Sequence, residues 1–380
     1  MTDIYVSACN IITPLGFTTG ENAKSILSGI TGIRLHEDPA ISPEPFHASL
    51  IDTVSLDENF SVLGNPVDYS RFEKMAVLSI NDVIKNTGIG IHGNRTLFIL
   101  STTKGNIDLL GSKPGGQAQP TDVYLWHTAQ KIQKHFGFLN EPIVVSHACI
   151  SGIQAIITGS RLIRGGFYDH VIINGTDIIT EFVYSGFSSF KSLSTGPCRP
   201  FDKSRDGLSL GEGSGTMILS VSKDDSEKRP VTVGHGFSTN DANHISGPSR
   251  TGEGLYLAIS KLTDREPDYP GFISAHGTAT PYNDEMESIA ITRAGMQDIP
   301  VNSLKGYWGH TLGAAGVLES IMSIWSLING VVPATLGFTE MGVTNPLNIT
   351  RSSIKVSTGK CLKIASGFGG CNAVTSFSVQ

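Results

Sequence analysis

The chain has 380 residues, 39% of them hydrophobic and 16% charged, and carries a net charge of −6. That length buries a large core, as two domains or a duplicated one, and the acidic balance argues against a nucleic-acid binder while leaving room for a local Lys/Arg patch to dock an acidic partner. Five cysteines with no Cys-x-x-Cys unit cannot all pair, so free thiols, a reducing compartment and no structural zinc are expected.

Residues 3–16 (DIYVSACNIITPLG) read as a β-branched strand ending at a Pro/Gly turn, and 21–30 as a short helix. The N-terminal MTDIYVSACN has neither a basic region nor a long apolar run, so no signal peptide is expected. A polar, proline-rich excursion (36–66) follows. Met75, Leu78, Val83 and Ile84 then fall at helical spacing within 71–88, closed by Gly88. Residues 96–101 form a buried-type strand, and 121–137 a helix capped by Thr121 or Asp122 and stopped by Gly137. Strand 143–146, a tight turn, helix 151–166 and strand 170–175 come next, then a loop-rich region and strand 215–222. The charged stretch 223–230 lacks apolar periodicity and marks the expected boundary between halves 1–226 and 227–380.

Beyond it the pattern recurs: strand 231–237, helix 254–263, strand 271–277, helix 283–295, a short strand at 299–303, a long helix from Gly313 to Asn329, and closing strands at 353–357 and 361–369. The apolar run 317–332 carries Glu319 and several serines and is too short and polar to span a bilayer. A soluble, cytoplasmic protein is expected. Alternating strands and helices predict a largely parallel sheet covered on both faces. IVVSHACISGIQAIITG in one half and IPVNSLKGYWGHTLGAAG in the other each run from a strand through a reactive turn into a helix of small residues. Two halves related by a pseudo-twofold axis follow, with Cys149 and His310 at equivalent places.

Cys149 precedes a helix N-terminus, whose dipole and free amides are expected to lower the thiol pKa. By itself such a cysteine is more often structural. His276 lies in HGTATPYND just past a strand, with Thr278 and Thr280 offering hydroxyls, and His310 lies in KGYWGH, with Lys305 five positions earlier. Desolvation and that lysine should keep His310 neutral, shielded by Tyr307 and Trp308. GFGG at 367–370 lets a backbone amide approach a reacting atom, although a plain hairpin reads the same way. RPFDKSRDGLSLGEGSG (199–215) reads as a surface loop with internal Arg–Asp pairing and no catalytic part.

Together these segments resemble the β-ketoacyl-[acyl-carrier-protein] synthases, condensing enzymes of the thiolase superfamily, nearly end to end. The resemblance rests on TPLG, the Cys149 turn, RPFDKSRDG with GEGSG, HGTATPYND, Lys305 with GHTLGAAG, and GFGG. It implies an α/β thiolase-like fold, a five-layer α-β-α-β-α sandwich of two related halves. A Cys–His–His set is that of elongating members: Cys149 holds an acyl chain, and His276 and His310 assist decarboxylation of malonyl-carrier protein and stabilise the enolate that attacks. The backbone amides of Cys149 and Phe368 are implied as the oxyanion hole, with Lys305 organising His310, and Glu319 and Asp284 as supporting charges. Thr278, Thr280, Ser246, Phe368 and Gly369 are implied as substrate contacts, Phe368 as an acyl gate, and Lys191 and Arg71 as carrier-protein contacts. No metal and no cofactor are implied beyond the carrier's phosphopantetheine arm. The implied partners are an acyl carrier protein and a second subunit, identical or ketosynthase-like; nucleic acid and membrane are not among them. Cys371 is read as packing. The alternatives are a malonyl decarboxylase or non-condensing acyltransferase, and a scaffold subunit of the chain-length-factor type. His147 before Ala148-Cys149, and the bulky Tyr307-Trp308, depart from housekeeping members and lean towards aryl-polyene or polyene pigment relatives.

Overall fold

The computed structural model describes residues 3–110, 120–223, 229–357 and 359–380; most of the expected 223–230 boundary, with the 226/227 junction, lies outside them. In the first half the strands of the main ten-stranded sheet are β1 (Tyr5–Ile12), β2 (Thr96–Ser101), β3 (Ile143–Val145), β4 (His170–Asp177) and β5 (Gly213–Ser220). In the second they are β6 (Val231–Asn240), β7 (Phe272–Ser274), β8 (Val301–Asn302), β9 (Lys360–Gly367) and β10 (Cys371–Val379). From the middle outward the spatial order is β1-β5-β4-β2-β3 on one side and β6-β10-β9-β7-β8 on the other. Numbered within each half, both read first, fifth, fourth, second, third. The directions match as well: the two pairings nearest the middle are antiparallel and the outer two parallel. The halves join where Tyr5 faces Thr232 and Val6 faces Val231.

The expectation of a largely parallel sheet is corrected by this topology. In each half the fifth strand inserts antiparallel between the first and the fourth, and β9 meets β10 across the tight turn Phe368–Gly370, which joins only antiparallel neighbours. Strand β10 itself was not foreseen. Asn372, Thr375 and Ser376 make it read as polar, yet it is a central strand buried from Cys371 to Phe377.

The helices that position the site are α1 (Arg71–Lys85), α2 (Leu125–Phe136), α3 (Ser151–Arg164), α4 (Glu181–Ser189), α5 (Glu253–Thr263), α6 (Pro281–Arg293), α7 (Lys305–Trp308) and α8 (Ala315–Asn329). α1 covers β1, β4 and β5, α2 covers β2 and β3, and α5 covers β6 and β10 with α6 against it. α3 and α8 touch each other and strands of both halves. Helix, half-sheet, helix, half-sheet, helix is the five-layer arrangement expected. The helical run Leu312–Asn329 is long and apolar enough to cross a membrane, but 83% of it is buried as this central layer.

Local chemistry explains the boundaries. Ser70 and Glu73 cap α1 reciprocally, and Gly137 ends α2 with φ 67°. Thr121 and Asp122, expected as caps of α2, fall instead in a 3-10 turn (Pro120–Val123), and Tyr124 takes the cap position. The excursion at 36–66 holds a strand (Phe46–Ser49) and a helix (Thr53–Phe60) capped by Asp52, and the loop-rich region holds α4, capped by Thr180.

One crossing decides where the reactive turns meet. A Cβ on Gly152 would lie 2.6 Å from the Val317 nitrogen, and one on Gly316 2.6 Å from the Ile153 nitrogen. Only two glycines let the backbones of α3 and α8 touch here. The turns entering those helices, with Cys149 and His310, are thereby brought side by side.

Candidate active site

Strand β3 ends in a tight turn at His147–Cys149 that places Ala148 at φ 46°, a left-handed conformation costly for a residue with a Cβ. The Ser151 hydroxyl holds the turn, accepting from the His147 amide (2.7 Å) and donating to the Ala148 carbonyl (2.6 Å). Cys149 is buried. Burial pushes its thiol up to about 12, with Cys371 adding to the rise and Lys305 opposing it. This corrects the expected lowering, because desolvation in the cleft outweighs the pull of the helix end. The free thiol therefore rests protonated, and any chemistry at the sulfur has to begin with loss of that proton.

His276 follows β7. Its amide and that of Gly277 each donate to the Glu287 carboxylate of α6, both at 2.7 Å, which fixes the loop. His310 is held from the other side: its amide donates to the Ser209 carbonyl (2.8 Å), and its carbonyl accepts from the Gly211 amide (3.1 Å). The Gly313 amide, three residues on, donates to Asp177 at the end of β4 (2.7 Å).

The three side chains converge. The Cys149 sulfur and one nitrogen of each imidazole lie within 4.8 Å of one another, and the two rings meet edge to face with centroids 5.0 Å apart. Burial above all, then Lys305, drives both imidazoles well below the usual histidine value, with Lys363 acting on each and His310 adding to the effect on His276. Both rings are therefore neutral near pH 7. Neither ring nitrogen of His310 has a hydrogen-bond partner, although the side chain is buried. Such a group is costly to leave unsatisfied and marks a place prepared for a ligand atom.

Lys305 is fully buried, ion-paired to Glu319, with Nζ 3.5 Å from His276 Nδ1. An ammonium cannot accept a hydrogen bond, so Nδ1 of His276 is the acceptor and Nε2 carries the hydrogen. Lys305 acts on His310 through its charge, while its close contact is with His276. One turn of α7 separates Lys305 from His310, and Glu319 draws the ammonium to His276.

Beside the thiol, the Phe368 amide acts on the Cys149 sulfur in the sense that favours its charged form. A Cβ on Gly367 would lie 3.0 Å from the Cys149 amide nitrogen. The glycine thus lets the β9–β10 turn bring a second amide next to that of Cys149, the arrangement of an oxyanion hole. Phe368 is half-buried; it stacks with Phe187 and meets Phe190 edge to face, ring centroids 5.5 and 5.2 Å away. A cavity of about 390 Å³ runs from the thiol past both imidazoles, Thr278, Thr280, Ser246 and Phe368 to Lys191 at its mouth. The Thr278 and Thr280 hydroxyls are 2.9 Å apart. Cysteine and two histidines are also a zinc donor set, and among the described residues this is the one cluster of that kind.

Other expected residues stand outside the cavity. Gly369 is the exposed turn tip, at φ 82°, and its amide donates to the Ile245 carbonyl (2.7 Å), holding the neighbouring loop rather than a substrate. Asp284 is fully buried and accepts from the amides of Phe201 (2.7 Å) and Ala279 (3.2 Å); burial pushes its carboxyl up to about 6. Cys371 packs against Ile150, Ile153 and Ala373, its thiol donating to the Phe368 carbonyl at 3.1 Å. Arg71, expected as a carrier contact, is only partly exposed and is already engaged. It pairs with the buried Glu212 and bonds Thr53 Oγ1 (2.9 Å), because helix Thr53–Phe60 and the 199–215 tract close over it. Arg71→Ala should therefore cost about 3 kcal/mol of stability by stranding Glu212. Urea unfolding measures this, and a weakened carrier KM at unchanged stability would contradict it.

The 199–215 tract is not a surface loop: Phe201, Asp202, Leu210 and Glu212 are buried, and its backbone clamps His310. Glu287, Asp177 and Lys363 were also missed. A charged residue inside the apolar run KCLKIAS was the available clue to Lys363, and the i+3 spacing from Asp284 was the clue to Glu287. Since both imidazoles are neutral well below pH 6.5, their chemistry should show no inflection there. Carbon dioxide release from malonyl-carrier protein between pH 8 and 6 reads this out, and a midpoint at 6.5 would refute it.

Residues 1–225 match the family profile "Beta-ketoacyl synthase, N-terminal domain", and residues 230–339 match "Beta-ketoacyl synthase, C-terminal domain". The chain is 33% identical to 3-oxoacyl-[acyl-carrier-protein] synthase 2 of Vibrio cholerae, over 98% of each chain. It is 29% identical to a putative mitochondrial 3-oxoacyl-[acyl-carrier-protein] synthase of Schizosaccharomyces pombe, over 99% of each. Among solved structures, a ketosynthase in complex with its chain length factor from Xenorhabdus doucetiae superposes with a TM-score of 0.86 at 25% identity, covering 100% of this chain and 98% of that one.

Proposed function

The chain belongs to the β-ketoacyl synthase family, and from that premise we propose that it lengthens acyl chains by decarboxylative condensation of malonyl-acyl carrier protein with an acyl group held on Cys149. The carrying observation is the convergence of one thiol and two neutral imidazoles, one of them with both nitrogens unpartnered.

In the first half-reaction the Cys149 sulfur attacks an acyl-carrier thioester. The amides of Cys149 and Phe368 hold the oxyanion, the carrier thiol leaves with a proton, and the acyl-cysteine remains. Malonyl-carrier protein then enters past Lys191, its pantetheine arm running along Thr278, Thr280 and Ser246. His276 and His310 donate to its thioester carbonyl, so the carbon–carboxylate bond breaks and carbon dioxide departs, leaving an enolate. The enolate carbon attacks the acyl-cysteine carbonyl, the sulfur leaves and regains a proton, and 3-oxoacyl-carrier protein is released. The residues here hold charge and orient donors, which the chemistry needs and their neutrality allows.

The carrier protein and a second ketosynthase-like or identical subunit are the partners. The exposed Lys191 at the cavity mouth supports the first. The edge strand β3, whose outer side pairs with no strand among the described residues and whose Ile143, Val144 and Val145 are half-exposed, supports the second. The thiols of Cys149, Cys198, Cys361 and Cys371 support a reducing, cytoplasmic setting, and the carrier's own arm is the prosthetic group the steps require. The test is direct. The purified protein, given acyl-carrier protein and then malonyl-carrier protein, should first gain the acyl mass and then release 3-oxoacyl-carrier protein. Carbon dioxide without a ketoacyl product would mark a decarboxylase, and no adduct from any acyl donor a scaffold.

A further inference from the structure

Lys363 lies in the middle of β9 with no solvent exposure, on a strand whose neighbours Leu362 and Ile364 are ordinary core residues. Burying an ammonium is costly, and a Met or Leu would fill such a place without that cost. The partners are what distinguish it. Nζ lies 2.7 Å from Glu319 Oε2 and donates to the carbonyls of Ser274 (3.2 Å) and Ala275 (2.9 Å). Those carbonyls belong to the two residues immediately before His276. Glu319 is the carboxylate that also holds Lys305, and Lys305 faces His276 Nδ1. One side chain therefore ties the strand end bearing His276 to the helix bearing Glu319, and through it to the other lysine.

We infer that Lys363 is a positioning residue for the condensation: it fixes Glu319 and Lys305 behind His276 and supplies the second buried positive charge that keeps the two imidazoles unprotonated. This rests on the reading of His276 and His310 as donors to a thioester carbonyl. The charged and titratable groups around Lys363 are Glu319 from α8, Lys305 from α7 and Glu287 from α6, with His276 and His310 beyond. Two ammonium groups face one fully paired carboxylate, and burial with Asp284 pushes Glu287 up to about 7, so its charge offsets them only in part. Burial lowers the Lys363 pKa and Glu319 opposes that fall, so the carboxylate it holds sustains its charge, and both lysines act on the rings in the same sense. A protonated His276 would lose its acceptor towards Lys305. A cation in the cleft would also stabilise the malonyl carboxylate that has to depart.

Two variants separate charge from geometry. Lys363→Gln keeps donors for the Ser274 and Ala275 carbonyls but removes the charge, whereas Lys363→Met removes both; the glutamine protein carries the test if the methionine one fails to fold. Ring signals of isotopically labelled histidine, assigned with His276→Asn and His310→Asn, are followed from pH 8 to 5 without substrate. The rings should stay neutral in the parent protein and take up protons about one pH unit or more higher in both variants. Malonyl decarboxylation should then fall at low pH by about tenfold per unit of that shift, and self-acylation of Cys149 should fall less. Ring titrations that superpose on the parent's, or a glutamine variant restored to the parent profile, would overturn the role of Lys363. Absence of decarboxylation in the parent protein would instead overturn the functional reading, since the ring titration needs no substrate.

Discussion

Cys149→Ala should abolish acyl transfer, lowering it on the order of 10⁴-fold or more, because no other group can form the covalent thioester. Intact-protein mass spectrometry after exposure to acyl-carrier protein should show no adduct. Cys371→Ala should keep most of the adduct. Although Cys371 stands beside the same turn, its thiol is spent on the Phe368 carbonyl within an apolar cluster, and burial pushes it up to about 11. The loss in Cys149→Ala should be confined to steps that use the sulfur. Carbon dioxide release from malonyl-carrier protein needs the imidazoles but no sulfur, so it should persist in Cys149→Ala. Equal loss of the adduct in both variants would remove Cys149 as the nucleophile.

The second large effect is expected at His310. His310→Asn should slow malonyl decarboxylation by roughly 10²–10³-fold, the usual consequence of removing one donor to a developing oxyanion. Self-acylation should suffer less, because its oxyanion is held by the amides of Cys149 and Phe368. The asymmetry follows from placement: His310 is buried, its backbone is clamped between Ser209 and Gly211, and neither ring nitrogen is engaged. His276 differs, with Nδ1 already committed to Lys305. Separate assays of carbon dioxide release and acyl-cysteine formation decide the matter, and equal damage to both steps would contradict the enolate role.

The fold was legible where periodicity is strong. Strand Thr96–Ser101, helix α1 and helix α3 lie close to where a continuous apolar run, helical spacing and a stretch of small residues put them. The repeat of strand, reactive turn and small-residue helix foretold two related halves, and identical strand orders answer it. What failed was anything that depends on partners distant in sequence. Strand β10 looked polar because nothing in CNAVTSFSV tells that both its faces would be covered. Arg71 looked like a docking residue because its buried partner, Glu212, lies 141 positions away.

Residue types and local spacing by themselves determined the cast: one thiol before a helix, two histidine loops, a glycine turn, and the lysine and glutamate that accompany them. Tertiary structure alone decided their working states. The contact of α3 with α8 at Gly152 and Gly316 set the distance between sulfur and imidazole, and Lys363 joined Lys305 at one carboxylate. Burial reversed the expected acidity of the thiol. The physical reason is common to all three. Dielectric surroundings and long-range contacts belong to the packed cleft, and no stretch of neighbouring residues contains them.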